Sequence, residues 1–282
     1  MPTFQTPEPI AVTIDMAAGS VRVAASDRTD TVVDVRPYSD SSDADVRAAA
    51  ETGVDYAGGR LTVKGPKSWV RSVFGPGAGP AIDVVVELPQ GSSLDLTSWT
   101  DLTADGRLGD VTVRTALGDI RLEATGELRA KTSMGDITVG RIDGGADLDT
   151  SAGAVRIGRI DGSAVVKASA GGLSVGEVAG DLRLHTSHGD ISVERALASV
   201  VAKTAAGGIR VDEAVRGRVD LATSYGDVTV GVPEGTAAWL DVNSRTGRVR
   251  SELEASTTPR GGDETVEIRA RTQYGEILIR RA

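Results

Sequence analysis

The amino-acid sequence predicts an all-β fold: a single-chain β-solenoid (β-helix) of about ten 18-residue coils with an N-terminal β-rich cap that carries one short helix. Three observations predict it. An eight-residue phrase, Thr-x-x-Gly-Asp-Ile-x-Val, recurs at near-constant spacing. Between phrases, apolar and polar residues alternate. Turn residues punctuate each repeat twice. A fixed period of this size means stacked supersecondary units.

The phrase is complete at Thr132–Val139 and recurs at Thr115–Leu122, Thr150–Ile157, Ala168–Val175, Thr186–Val193, Thr204–Val211, Thr223–Val230 and Thr272–Ile279. Weaker copies stand at Thr97–Ala104 and Ser244–Ser251. Counted from Thr100 through Gly118 to Gly275, the marker position advances by 18, 17, 18, 18, 18, 18, 19, 21 and 28 residues. Within one repeat the apolar positions alternate, as in Leu173, Val175, Val178, Leu182 and Leu184. This is the pattern of strands with one buried face, and Val, Ile and Thr suit them. Each repeat therefore holds two short strands and two turns. One turn is marked by Gly-Asp, where glycine permits positive φ and aspartate can bond nearby backbone amides. The other is marked by pairs such as Asp143-Gly144 and Asp161-Gly162. One coil cannot bury its apolar face alone, whereas parallel stacking closes the backbone hydrogen bonds and makes a continuous core.

Residues 1–96 do not follow the period and read as a capping region. Strand-like runs lie at Ile10–Ile14, Val21–Val23, Val32–Val35, Val54–Tyr56, Leu61–Val63 and Ile82–Leu88. Ser42–Glu51 reads as a short helix with Ser or Asp as its N-cap. The loop Lys64–Pro80 mixes Lys64, Lys67 and Arg71 with Trp69, Val70, Val73 and Phe74. It reads as a flap over the solenoid end or as a docking loop for a partner or an anionic membrane surface. In the docking reading Lys67, Trp69, Arg71 and Phe74 are the partner-binding residues.

Residues 97–282 form the solenoid, with an insertion at 251–265 that reads as a protruding loop. Leu88-Pro89-Gln90-Gly91 is echoed by Val232-Pro233-Glu234-Gly235, which suggests one shared turn near the two ends of the array. The final strand ends in Arg280-Arg281-Ala282, and charge there would protect a terminal edge.

Composition narrows the function. Aromatics are only 3% of the 282 residues, which suits a narrow Val/Ile/Leu/Ala interior. A formal charge of -9 disfavours nucleic-acid binding. There is no cysteine, so disulfides and Cys-based metal sites are excluded. No apolar run is long enough for a membrane span, and no signal peptide is visible. A cytoplasmic location is therefore the default expectation, with surface display still open.

The Thr-Ser-x-Gly-Asp-Ile-x-Val phrases, Val21-Arg22-Val23 with Val32–Val35, and the Leu88–Gly91 turn resemble a bacterial family of β-strand-repeat proteins of unknown function whose members carry the name "putative adhesin". The resemblance covers nearly the whole chain. It implies a β-solenoid, no known catalytic residues, and an adhesin-like role.

The repeat holds three sets of residues with the potential for chemistry. The only histidines, His185 and His188, flank Thr186-Ser187 but occupy outward repeat positions with no third member of a triad. Asp101, Asp119, Asp136, Asp190, Asp227 and Glu276 share one turn column. Such a column can share a cation, but Ala154, Gly172, Gly208 and Arg248 interrupt it, and turn capping explains it without metal. Trp99, Tyr225 and Tyr274 share the variable turn column, spread along it. No paired carboxylates mark a glycosidase. No phosphate-binding loop or other cofactor motif is present. The expectation is no enzyme, no cofactor and no metal. The chain reads as a scaffold or binding module, a monomer or small oligomer, offering a repeat surface to a protein or glycan. A self-assembling filament subunit is the alternative, and a polysaccharide-active β-helix enzyme a more distant one.

Overall fold

The computed structural model describes residues 1–66, 80–254 and 264–282. Lys67, Trp69, Arg71 and Phe74 fall outside the described residues. Two compact units, Met1–Arg141 and Ile142–Ala282, are each built of stacked coils. Both are all-β apart from one helix, and the fold class is the β-solenoid.

The first unit contains β1 (Thr3–Gln5), β2 (Ala11–Asp15), β3 (Ala18–Ser26), β4 (Asp30–Pro37), α1 (Asp43–Glu51), β5 (Gly53–Ala57), β6 (Arg60–Lys64), β7 (Ala81–Pro89), β8 (Ser93–Ser98), β9 (Asp101–Arg107), β10 (Val111–Thr115), β11 (Ile120–Thr125), β12 (Leu128–Met134) and β13 (Ile137–Ile142). One sheet runs β1-β4-β7-β3-β9-β11-β13, and the other β5-β6-β2-β8-β10-β12. Residues 1–96 thus supply more than antiparallel cover. The β2–β3 coil stacks in parallel between the β6–β7 coil and the β8–β9 coil. No period shows there because spatial neighbours are not sequence neighbours. Antiparallel β1, β4 and β5 complete the edges. The helix begins as expected: Ser42 Oγ accepts from the Asp45 N–H at 3.3 Å. Asp45 Oδ1 in turn accepts from the Ala81 N–H at 2.9 Å, which ties α1 to the start of β7. Arg28 donates to Asp30 at 2.9 Å and also to Glu87, clamping the β3–β4 turn onto β7. The guanidinium holds the Asp30 carboxyl below its ordinary range. That carboxylate's contribution to stability is therefore present at neutral pH and is lost only as pH falls through the lowered value.

The second unit contains β14 (Ala146–Ala152), β15 (Val155–Ile160), β16 (Ala164–Ala170), β17 (Leu173–Val178), β18 (Leu182–His185), β19 (Ile191–Ala196), β20 (Val200–Ala206), β21 (Ile209–Ala214), β22 (Gly217–Tyr225), β23 (Val228–Val232), β24 (Thr236–Thr246), β25 (Val249–Ser251), β26 (Glu264–Tyr274) and β27 (Ile277–Arg281). Its sheets run β14-β16-β18-β20-β22-β26-β24 and β15-β17-β19-β21-β23-β27-β25. Even and odd strands alternate down the chain, one per sheet, and the pairings are parallel, at a one-coil offset from β14 to β23, as in Leu173↔Ile191↔Ile209. Inward Leu173, Val175, Val178, Leu182 and Leu184 are buried as the alternation predicts. Outward charges alternate across coils: Arg159 meets Glu177 at 2.6 Å, and Arg195 meets Glu213 at 3.3 Å. Such exposed pairs are worth only a few tenths of a kcal/mol each.

The C-terminal order corrects the sequence reading. The last coil, β26–β27, lies between the β22–β23 coil and the β24–β25 coil. Arg280 and Arg281 therefore do not form a terminal edge. Arg280 bonds Asp212 at 3.1 Å, and Arg281 donates to the Pro233 and Thr236 carbonyls at 2.9 and 3.2 Å. The terminal edges are β24 and β25. The shared turn is real: Gly91 and Gly235 both hold positive φ, +79° and +77°.

The marker glycines carry the stack. Gly171, Gly189, Gly207 and Gly226 have φ between +143° and +153°, and a Cβ on each would overlap the carbonyl of the preceding marker glycine. Gly189→Ala should therefore lower stability by at least ~2 kcal/mol, read as a drop in denaturation midpoint. Gly53→Ala, at an unstrained position with open space around it, should move it by no more than ~0.5 kcal/mol.

Candidate functional site

Three rows of equivalent residues meet at the marker turn. The first is the threonine row. Thr186, Thr204, Thr223 and Thr272 are buried, and their Oγ1 atoms donate to the carbonyls of Gly171, Gly189, Gly207 and Gly226 at 3.2, 3.2, 2.9 and 3.0 Å. Ser244 does the same to Gly275 at 2.8 Å, consistent with β24 lying beyond β26. A buried hydroxyl needs such a partner, and the stacked glycine supplies it.

The second row holds the carboxylates. Asp101 Oδ1 accepts from the Asp119 N–H at 2.8 Å, and Asp119 Oδ1 from the Asp136 N–H at 2.9 Å. Asp190 Oδ1 accepts from the Gly208 N–H and Asp227 Oδ1 from the Glu276 N–H, both at 2.7 Å. The expectation that each aspartate bonds its own turn is corrected here. Each reaches the equivalent amide of the adjacent coil, which parallel stacking in register sets beside it. A weaker ladder runs at the opposite turn, where Ser163 Oγ accepts from Asp181 N–H and Asp181 Oδ1 from Ser199 N–H, at 3.2 and 3.3 Å. Among the described residues, no cluster of three or more His, Cys, Asp or Glu side chains has the geometry to hold a metal ion.

The third row points outward and is chemically free to vary. In the second unit it runs Ala152, Ala170, His188, Ala206, Tyr225, Tyr274, Thr246. In the first unit Leu117 and Met134 pair with each other at the equivalent positions. Tyr225 and Tyr274 are 60% and 48% exposed, and their rings stack at 5.0 Å with 3° between planes. The sequence spaced these tyrosines far apart. The inserted last coil makes them adjacent. Trp99 lies in the first unit, beside the β2–β3 turn, its backbone N–H donating to the Ala17 carbonyl at 2.9 Å. His188 belongs to the outward row, and His185 lies between Lys167 and Lys203 in its own outward column. Both are exposed.

Two further features escaped the sequence reading. Arg269 lies over the exposed Trp239 ring, 5.9 Å from its centre. It is invisible until β24 and β26 are known to pair with Trp239 opposite Glu267. The long β24 edge is likewise visible only in the strand order. No helix among the described residues is long and apolar enough to cross a membrane.

A family model described as Toastrack DUF4097 matches residues 11–280. Among solved structures, a "putative adhesin" of Bacteroides fragilis is 12% identical over 99% of this chain and 95% of its own, with a TM-score of 0.37. A "putative adhesin" of Parabacteroides distasonis is 11% identical over 98% and 95%, with a TM-score of 0.40. A "putative lipid binding protein" of the same organism is 11% identical over 98% and 95%, with a TM-score of 0.32. No curated protein matches the chain.

Asp190→Ala should cost about 1 kcal/mol and speed exchange of the Gly208 amide hydrogen, while Asp190→Asn, which keeps an acceptor oxygen, should recover most of both. Millimolar Ca²⁺ should leave the wild-type melting midpoint unchanged.

Proposed function

Because the chain belongs to the Toastrack DUF4097 family, we propose that it is an adhesin-like, non-catalytic binding module that presents the outward row of its second unit to a protein or glycan partner. The observation that carries this reading is the exposed Tyr225–Tyr274 stack. The recurrent Thr, Gly and Asp of the repeat spend their polar groups on neighbouring coils. The outward row has no such duty, so its residues are where specificity can be written.

Aromatic side chains give a large contact area with a polar tip, which is why they concentrate at recognition surfaces. The tyrosine pair is held rigid by β22 and β26, so little side-chain order is lost on binding. Gln273 is exposed and Ser224 half-buried one position back along these strands, and they supply hydrogen-bonding groups beside the rings. The loop residues Lys67, Trp69, Arg71 and Phe74 are a second proposed contact, on the strength of their composition alone. The filament alternative draws support from the open β24 edge, but a head-to-tail filament needs a matching edge at its other end. The edge strands of the first unit, β1 and β5, are three and five residues long.

The test is a binding screen on glycan and bacterial surface-protein arrays, followed by titration of the best ligand. The Tyr225→Ser, Tyr274→Ser double variant should weaken that ligand at least tenfold with an unchanged melting midpoint. A His185→Ala variant, in a separate outward column, should leave the affinity within about twofold, since one tenfold change corresponds to ~1.4 kcal/mol. Unchanged affinity in the tyrosine variant, or turnover of the ligand, would sink the reading.

A further inference from the structure

The second unit ends in an open edge of unusual length. β24 contributes eleven residues, Thr236–Thr246, and among the described residues pairs on one side only, with β26. β25 ends the other sheet and pairs only with β27. One coil further in, Val266, Ile268 and Ala270 are at most 2% exposed. Their partners Ala238, Leu240 and Val242 on β24 are only half-buried. The apolar interior therefore stops at β24 without a lid among the described residues.

The backbone says what kind of partner this edge takes. The Gly235 carbonyl accepts from the Glu264 N–H at 3.1 Å, and the register stays uniform from Thr236 to Ser244. Alternating from Gly235, residues 237, 239, 241 and 243 direct their backbone groups to β26. Residues 238, 240, 242 and 244 direct theirs outward, where only another strand satisfies a whole row. β24 itself holds no proline and no inward-facing charge, two of the devices that blunt an edge strand.

The strand's own side chains select the partner. Asp241 and Arg245 lie on the outward face, two residues either side of Asn243. If two copies of β24 pair antiparallel about Asn243, each Asp241 stands opposite Arg245 of the second copy, giving two opposite-charge pairs. Val242 then stands opposite Ser244 on the inward face. Pairing about Asp241 instead sets two carboxylates face to face. Asp241 already lies 3.5 Å from Arg271, so it would join a cationic pair from two chains.

We propose that β24 docks antiparallel against β24 of a second copy of this chain, with Asn243 on the two-fold axis, so that both sheets continue across a tail-to-tail dimer. The contact is isologous, and it closes at two chains. It is independent of the tyrosine row, whose ligand affinity is read by a separate assay.

The sequence has no cysteine, so one introduced thiol reports on one site. Asn243 would sit at a non-hydrogen-bonded position on the axis, where Cα atoms lie about 4.5 Å apart, within disulfide reach. Under mild oxidation Asn243→Cys should run mainly as a covalent dimer, and Thr138→Cys, exposed on β13, as a monomer. Light scattering of the unmodified protein should give twice the mass of one chain. Arg245→Asp should weaken the dimer at least tenfold, and Asp241→Arg combined with Arg245→Asp should restore it. A wild-type monomer at 100 µM-scale concentration (on the order of the upper range of such experiments), open-ended polymers, or a dimer that Asn243→Cys fails to cross-link would each overturn the proposal.

Discussion

The structure depends on one close approach: each marker glycine lies directly on the marker glycine of the next coil. With φ near +145° and no Cβ, the backbone at Gly189 can settle against the Gly171 carbonyl. Any side chain there would push the coils apart. Once the glycines stack, the rest of the phrase follows. The carbonyl of each glycine lies within reach of a buried threonine hydroxyl, and each aspartate lies beside the equivalent amide of its neighbour. The alternating Ile and Val positions then fall into register and fill the interior. Four residue types at fixed spacing are four consequences of one contact, which is why the phrase is so regular.

The same constraint explains how the ends are built. A coil at the end of a stack has only one neighbour, and chain termini fray. In both units the coil nearest the chain terminus is tucked one place inside the end. The β2–β3 coil lies between two later coils, and the β26–β27 coil lies between two earlier ones. Each terminal coil thus gains hydrogen bonds on both edges. The outermost coils are instead internal segments of the chain, held at both of their ends by the polypeptide. At the start of the chain the edge is further shortened by antiparallel β1 and β5. In the second unit the outermost strand, β24, keeps its full eleven residues.

Much of this was legible in the sequence. The phrase gave the coil, its two strands and its turns. Val21–Val23, Leu61–Val63 and Ile82–Leu88 each lie within strands, and Ser42 caps the helix. The spatial order of the coils was not legible, because periodicity reads sequence neighbours. Hence the parallel strands within residues 1–96 and the displacement of Arg280-Arg281 from the edge went unseen. The tyrosine stack was hidden for the same reason: Tyr225 and Tyr274 are 49 residues apart in sequence (274 minus 225) and become neighbours only through the inserted coil. The direction of the aspartate hydrogen bonds was hidden too, since sequence alone does not say whether a turn carboxylate faces its own loop or the next.

The most direct test of the stacking constraint is residue-resolved amide hydrogen exchange at the marker glycines. Gly171, Gly189, Gly207 and Gly226 lie in turns, where exchange is ordinarily fast. Here their N–H groups donate to the carbonyls of His188, Ala206, Tyr225 and Tyr274 on neighbouring coils, at 2.8 to 2.9 Å. Exchange as slow as that of the buried strand amides, tracking global unfolding, is the predicted result. Exchange at the rate of exposed loops would contradict the account, because the coils would then not be held together at their glycines.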